Sequence, residues 1–467
     1  MRQNVTYSIG NLAIIEKADA EFGFFKEVFA GVEGKARSFI PSTKLLAYNR
    51  LGECFSINRL CDFTPPELFS RLGAPEPISD RTLNRTLENM GRKMPLIVSN
   101  YQKWTKHYDL LSENQHVDFS SSFFVGKECS MGKLGYSRDH RPGNRQITYG
   151  ISVGENRIPT ALTIQNGNVV DRDHMKSMIR LCSHILEKGS ILIFDCGGNT
   201  KKNKDKITSL DFHFLTLKPK NRGVYKIIIR YYLKEKKEKK LIEVKNGDQI
   251  YYCAKRQKGK IFDYIFFSPK KKQEQMNFKR SKLLKSIEKN DALLKKVRKG
   301  KEFKAQICSK GWIVTHGSLQ KCLGEIPNPF ITGVEGFFAL ESSKDITPEE
   351  ALAIYKDRDK AEKLIRDMKE GAEIRPIRHW NSNVVKGYLL LIFLINAIVN
   401  LTLLKAKDHA VSNLKLLKKY FRNLTLTVVY PKNAFKIEFL SNNSAETRAL
   451  FGDYLKKYDD EGLDLRW

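Results

Sequence analysis

The spacing of apolar and polar residues changes three times along the chain. The first 110 or so residues keep a helical spacing. Within them, "TPPELFSRLGAPEPISDRTLNRTLENMG" (64–91) reads as helix, turn, helix: Pro65 and Pro66 open the first helix, "GAPEP" breaks it and Ser79 caps the second. Leu83 and Leu87 turn inward there. Arg81, Asn84 and Arg85 are left on or near the outer face, as in a plain helical hairpin or in a helix that enters a DNA major groove. From His116 the period drops to two. "HVDFSSSFFV" (116–125), "NRQITYGISV" (144–153) and "PTALTIQ" (159–165) predict three antiparallel strands separated by Gly- and Pro-bearing turns. A helix over about 171–187, the wholly apolar strand "ILIF" (191–194), a short helix and the strand "FHFLTLK" (212–218) follow, which describes a mixed α/β sheet.

Residues from about 220 to 340 interrupt that pattern. They hold strand-like pieces ("VYKIIIRYYL", "QIYYCAKR", "IFDYIFFS") and a basic helical run, "NFKRSKLLKSIEKNDALLKKVRKGK", and read as an insertion with its own small fold. Farther on, "GYLLLIFLINAIVNLTLL" (387–404) is long enough to span a bilayer. It carries Asn396 and Asn400, and its neighbours are not arranged as membrane anchors. A helix buried in the core of a soluble intracellular protein is the expectation.

Between these lies "ITPEEALAIYKDRDKAEKLIRDMKEG". Thr347 as N-cap, Pro348 in the first turn, Glu350 completing a capping box and Gly371 at the end predict one helix over 348–370. At about 100° per residue, Tyr355, Arg358, Glu362 and Lys369 share a stripe roughly 60° wide beside the apolar face of Ile354, Ala361, Leu364, Ile365 and Met368. Glu362 suits a hard cation, Arg358 and Lys369 suit phosphate oxygens, and Tyr355 can donate a hydrogen bond. The plainer reading is a local Arg358–Glu362 ion pair worth a few tenths of a kcal/mol.

Charge narrows the choice of partner. The chain of 467 residues has a net charge of +30, and residues 201–310 alone carry 34 Lys and Arg against 11 Asp and Glu. Such clustering points to a polyanion, nucleic acid before an anionic membrane. The eight cysteines show no Cys-x-x-Cys pair, which argues against a zinc ribbon or a secreted disulfide framework. Asp118 falls on the first predicted strand. Asp195 ends the most buried one, where ligand crevices of α/β sheets lie. Two aspartates and a glutamate meeting at one point repel one another unless divalent cations lie between them, the requirement of two-metal phosphodiester chemistry. Taken singly, Asp195 reads equally as a helix N-cap and Asp118 as a strand-edge residue.

The spacing Tyr-x2-Arg-x3-Glu-x6-Lys, filled by Tyr355, Arg358, Glu362 and Lys369, resembles the signature of DDE transposases of the IS-four-like group of insertion sequences. So do "VDFSSSFF", "GYSRDHRPGNRQITYGISV", "GNVVD", "IFDCGGNT" and "IRPIRHW" with the apolar helix after it, in that order over roughly 110–219 and 335–404. The resemblance implies an RNase H-like core in which the first strand lies beside the fourth, so that Asp118 meets Asp195 and Glu362 completes a catalytic, metal-binding triad holding two Mg²⁺ ions (or Mn²⁺). It implies that Tyr355, Arg358 and Lys369 hold phosphates of the element end, and that Arg138, His140 and Arg141 contact DNA or shape a loop. Trp312 is a candidate to stack a flipped base, or a packing residue.

The expected organisation is a helical N-terminal DNA-binding region (1–110), a core in two parts (111–219 and 341–404), a largely β, basic insertion (220–340) and a small C-terminal region (405–467) suited to dimerisation. The expected protein is a cytoplasmic, nucleoid-associated homodimer that excises and integrates double-stranded DNA bounded by terminal inverted repeats. The alternative is an inactive DNA-binding descendant acting as a repressor or architectural factor.

Overall fold

The computed structural model describes residues 4–32, 38–74, 76–126, 128–294, 328, 330–406, 413–432 and 435–458. Trp312 and the end of the basic helical run lie outside the described residues. The chain forms two compact units, one built from 1–213 and 356–467, the other from 214–355.

In the first unit, strand β1 (Val5–Ser8) precedes a set of helices, and β2 (Asn114–Phe123), β3 (Gln146–Gly154), β4 (Pro159–Asn166) and β5 (Ile191–Phe194) follow. β2 pairs antiparallel with β3, and β3 with β4. β2 pairs parallel with β5, from Asn114 opposite Ile191 to His116 opposite Ile193. This is a mixed sheet. β3 is buried along its whole length and β5 on both faces, which is why "ILIF" is apolar throughout.

The helix Ser382–Lys405 is long and apolar enough to cross a membrane, and 83% of its apolar window is buried inside the protein. Asn396 and Asn400 donate to the carbonyls four residues back, so both amides are satisfied without leaving the helix. Against it lies the helix Asp80–Arg92, capped by Ser79, which accepts from the Thr82 N–H. The two backbones touch at a pair of glycines. A Cβ on Gly387 would stand 1.9 Å from the Leu87 carbonyl oxygen, and one on Gly91 would stand 1.8 Å from that of Asn383. One apolar cluster runs from Tyr7 through this helix pair to Tyr458, so both ends of the described chain share its core. They also share a sheet. β1 pairs with β11 (Thr425–Val429), which pairs with β12 (Ile437–Ser441).

In the second unit β6 (His213–Leu217) pairs with β10 (Phe337–Ser342), then come β9 (Ile261–Phe267), β8 (Gln249–Lys258) and β7 (Ile242–Asn246), antiparallel throughout. The segment "VYKIIIRYYL" is not a strand. It lies in the helix Arg222–Lys237, capped by Asn221, because Tyr225, Ile228 and Tyr232 recur at helical spacing and bury together while the cations between them face outward. With the helix Pro269–Leu294, the described part of 220–340 is more helical than stranded, contrary to the expectation of a largely β insertion.

Glu335 anchors the loop before β10. It accepts from Lys279, from the Thr332 N–H (2.8 Å) and hydroxyl (2.9 Å), and from the Gly333 N–H (2.8 Å). Burial pushes this carboxyl up, but the Lys279 and Thr332 bonds outweigh it and hold the group at about 2. A depressed carboxyl contributes stability above its unfolded value and loses it as pH falls through the folded value. The loop is therefore expected to loosen between about pH 4.5 and 2, a limb that Glu335→Gln removes. Amide exchange of β9 and β10 across an acid titration measures it.

Candidate active site

The parallel register of β2 and β5 decides the first two carboxylates. Two residues beyond the last paired positions, His116 and Ile193, come Asp118 and Asp195, at the same level of neighbouring strands. The backbone then turns, and the Gly197 N–H donates to Asp195 Oδ1 at 2.8 Å. Gly197 leaves room for two acids. A Cβ there would lie 3.1 Å from Asp195 Oδ1 and 2.9 Å from Asp171 Oδ2. Asp171 opens the helix Asp171–Cys182 and pairs with Arg138.

The third carboxylate arrives on a helix that differs from expectation. The capping box is present: the Thr347 N–H donates to Glu350 at 2.8 Å and the Glu350 N–H to Thr347 Oγ1 at 3.2 Å. Yet 348–370 is not one helix. Pro348–Lys356 ends, a turn closes with the Lys360 N–H on the Asp357 carbonyl, and a second helix runs over Asp359–Arg366. A five-residue π-helical turn, Asp367–Gly371, follows, where the Ala372 N–H reaches back to the Asp367 carbonyl. Caps and periodicity are local signals, whereas the break is held by Arg358, which turns its guanidinium across to another element. Its Nη1 donates to Asp118 Oδ1 at 3.4 Å and its Nη2 to Glu362. The local Arg358–Glu362 pair is therefore present, and the same guanidinium joins it to Asp118. Tyr355 is the last residue of the second compact unit.

Electrostatics tie the three acids together. Burial, then the charges of Asp195 and Glu362, push the Asp118 carboxyl up to about 6, while Arg358 and the Phe119 amide pull it down. Two residues earlier on the same strand, His116 is fully buried with both ring nitrogens unbonded, and burial lowers it to about 4, so it is neutral at physiological pH. Among the described residues no three His, Cys, Asp or Glu side chains close into a finished metal cage. The donor set still fits a hard divalent cation: three carboxylates, all oxygen, with the most buried one destabilised by its like-charged neighbours.

Lys369 does not stand open. Its ammonium donates to Asp139 at 2.8 Å, and Arg375 donates to the same oxygen at 2.9 Å. Arg138 is held by Asp171, and its N–H by Ser121 Oγ. Arg141 lies over the Phe123 ring at 5.0 Å, and His140 is exposed at a left-handed φ of 53°. Arg81 and Arg85 are exposed and Asn84 donates to the Asp80 carbonyl; among the described residues no bond joins these three to the acids. Sequence reasoning weighted the cations of "SRDHRPG" and passed over its buried acid, Asp139, as it passed over Asp171 at the end of "GNVVD".

The family described as "Transposase DDE domain" matches residues 120–396, more than half of the chain; Asp195 and Glu362 fall inside that span and Asp118 two residues before it. No curated protein matches. Among solved structures, the chain is similar to one described as "Cryo-EM structure of piggyBac transposase synaptic complex with hairpin DNA (SNHP)", at 10% identity, over 90% of this chain and 82% of that one, with a TM-score of 0.43. A likeness that slight carries no structural inference.

Proposed function

This chain belongs to the transposase DDE domain family, and on that premise we propose that it is an active cut-and-paste transposase of the IS-four-like group, with Tyr355, Arg358, Glu362 and Lys369 as its Tyr-Arg-Glu-Lys signature on an RNase H-like core. The observation that supports this is Arg358 reaching both Asp118 and Glu362, with Asp195 two residues past the β2–β5 pairing as Asp118 is. Asp118, Asp195 and Glu362 would hold two divalent cations, Mg²⁺ or Mn²⁺. Bound there, they supply charge neutralisation at the attacking and leaving oxygens of a phosphodiester.

The chain's own residues do the rest. Arg358 orients Asp118 and Glu362, and its guanidinium suits a non-bridging phosphate oxygen. Water adds to phosphorus as the bond to the 3′ oxygen breaks, leaving a 3′-hydroxyl on the element end. That hydroxyl then attacks a target phosphodiester, forming one P–O bond as another breaks. The basic residues of 201–310 and the helix bearing Arg81, Asn84 and Arg85 hold the duplex. The protein acts in the cytoplasm as a homodimer on paired inverted repeats.

The alternative, an inactive descendant that only binds DNA, draws on Arg358 already lying between Asp118 and Glu362. One experiment decides. With Mg²⁺ or Mn²⁺ and a plasmid carrying the DNA that flanks the gene, strand breaks should map to the ends of the element. Salt-sensitive binding with no break in either metal would leave the DNA-binding reading standing and remove the enzymatic one.

A further inference from the structure

The side chain of Asp139 is only 2% exposed, and its carboxylate accepts three bonds from three separate stretches of chain. Lys369 Nζ donates at 2.8 Å from the π-helical turn after the Glu362 helix, and Arg375 Nη1 at 2.9 Å from the segment beyond it. The Phe123 N–H donates at 3.0 Å from the end of β2, the strand that carries Asp118. Arg375 also reaches the exposed Glu370 at 3.5 Å. Around this point the backbones interlock too. The Ile377 N–H donates to the Phe123 carbonyl at 3.0 Å and the Val125 N–H to that of Ile377 at 2.9 Å.

The Glu362 segment is thus fastened to β2 at two places. At its start Arg358 reaches Asp118. At its far end Lys369 is joined through Asp139 to Phe123. Glu362 lies between these fastenings and is itself half exposed, held by Arg358 on its own helix. A side chain so placed takes its position from the ends of its element. Asp139 also anchors the loop whose neighbouring residues, Arg138 and Arg141, lie on Asp171 and Phe123. Burial alone would favour a neutral Lys369; the Asp139 carboxylate opposes that.

We propose that Asp139 is a positioning residue of the reaction: through Lys369 and the end of β2 it holds the Glu362 helix against β2, so that Glu362 and Asp118 could hold a divalent cation together. The inference rests on the transposase reading for its purpose, and its test includes an arm that does not.

Asp139→Asn keeps the shape and removes the charge that holds Lys369 and Arg375. Mn²⁺ titrated into the full-length protein without DNA, followed by electron paramagnetic resonance, is expected to bind about tenfold more weakly to this variant than to wild type. Binding to plasmid DNA in EDTA should be unchanged or tighter, since a negative charge is gone. Cleavage at saturating DNA should fall by about tenfold or more. Lys369→Met should weaken Mn²⁺ binding similarly, and the double variant should be no worse than the worse single one. Equal Mn²⁺ affinity in wild type and Asp139→Asn overturns the proposal. So does weaker Mn²⁺ binding accompanied by loss of cooperative melting, which would make Asp139 a residue of the fold alone. A wild type that binds Mn²⁺ but never cuts sinks the transposase reading, while the Mn²⁺ comparison still decides the role of Asp139.

Discussion

Asp118→Asn is expected to lower strand cleavage by about a thousandfold or more while the protein still binds DNA. The expectation follows from what the asparagine keeps and loses. Its amide fits the same place on β2 opposite Ile151, and its oxygen can still accept from Arg358. It loses the charge that makes the site attractive to a divalent cation, and cation stabilisation of transferring phosphoryl oxygens is worth several kcal/mol, where about 1.4 kcal/mol is a factor of ten in rate.

The fold should not suffer. Asp118 is partly exposed, yet burial and the charges of Asp195 and Glu362 push its carboxyl up to about 6, so its ionised form opposes folding at pH 8. Removing it should leave a melting temperature at least equal to that of the wild type. A variant that is inactive, cooperative in melting and undiminished in EDTA binding is the expected result. Asp195→Asn and Glu362→Gln should behave alike in cleavage. Ordinary cutting by any of the three would remove that residue from the chemistry.

The second large effect is on the fold. Gly387→Val should destabilise the first unit by about 3 kcal/mol or more, because the new atoms meet backbone rather than a side chain that could rotate aside. The nearest obstacle to a Cβ is the Leu87 carbonyl oxygen at 1.9 Å, with the Gly91 amide nitrogen at 3.0 Å. The two helices would have to separate along the core they share. Gly223→Ala is the control: nothing lies closer to its Cβ than Asn221 Oδ1 at 3.7 Å. Urea denaturation of both variants should show a lower midpoint for Gly387→Val and little change for Gly223→Ala. Similar midpoints would mean that the helix contact yields more readily than its geometry implies.

How much of this was legible beforehand depends on the range of each signal. Period-two alternation reported β2, β3 and β4 within two residues, and unbroken apolarity reported β5, because burial on one face or on both leaves a direct mark on composition. The offset that sets Asp118 level with Asp195 left no such mark, since nothing in either strand states its register with the other; it came from family resemblance. The 348–370 helix was misjudged for the opposite reason. Its caps are real, but the turn at Asp357 and Arg358 is held by a contact with Asp118, 240 residues away in sequence. "VYKIIIRYYL" misled because isoleucine and tyrosine favour strands on average while Tyr225, Ile228 and Tyr232 obey a helical spacing. Asp139 sits among the cations of a basic motif and Asp171 at the end of an uncharged one, so neither carries a local mark of its role. Their importance is visible only in what they hold.

The pairing of β1 with β11 has a consequence in time. Val5 lies opposite Val428 and Ser8 opposite Thr425, so the first strand of the chain must wait for more than 400 residues to be synthesised before its partner exists. At about 5–20 residues per second that delay is roughly 20–85 s. The unit of 214–355, contiguous in sequence, can fold within that interval. The unit carrying all three acids cannot close its β1–β11–β12 sheet until Thr425–Val429 and Ile437–Ser441 have been made. A message broken before the codon for Thr425 therefore yields a product with Asp118, Asp195 and Glu362 all present but with the β1 edge unpaired, a species better suited to aggregation and proteolysis than to cutting DNA. The β1 edge thus stays open to other strands for as long as the chain is shorter than its distant partner requires.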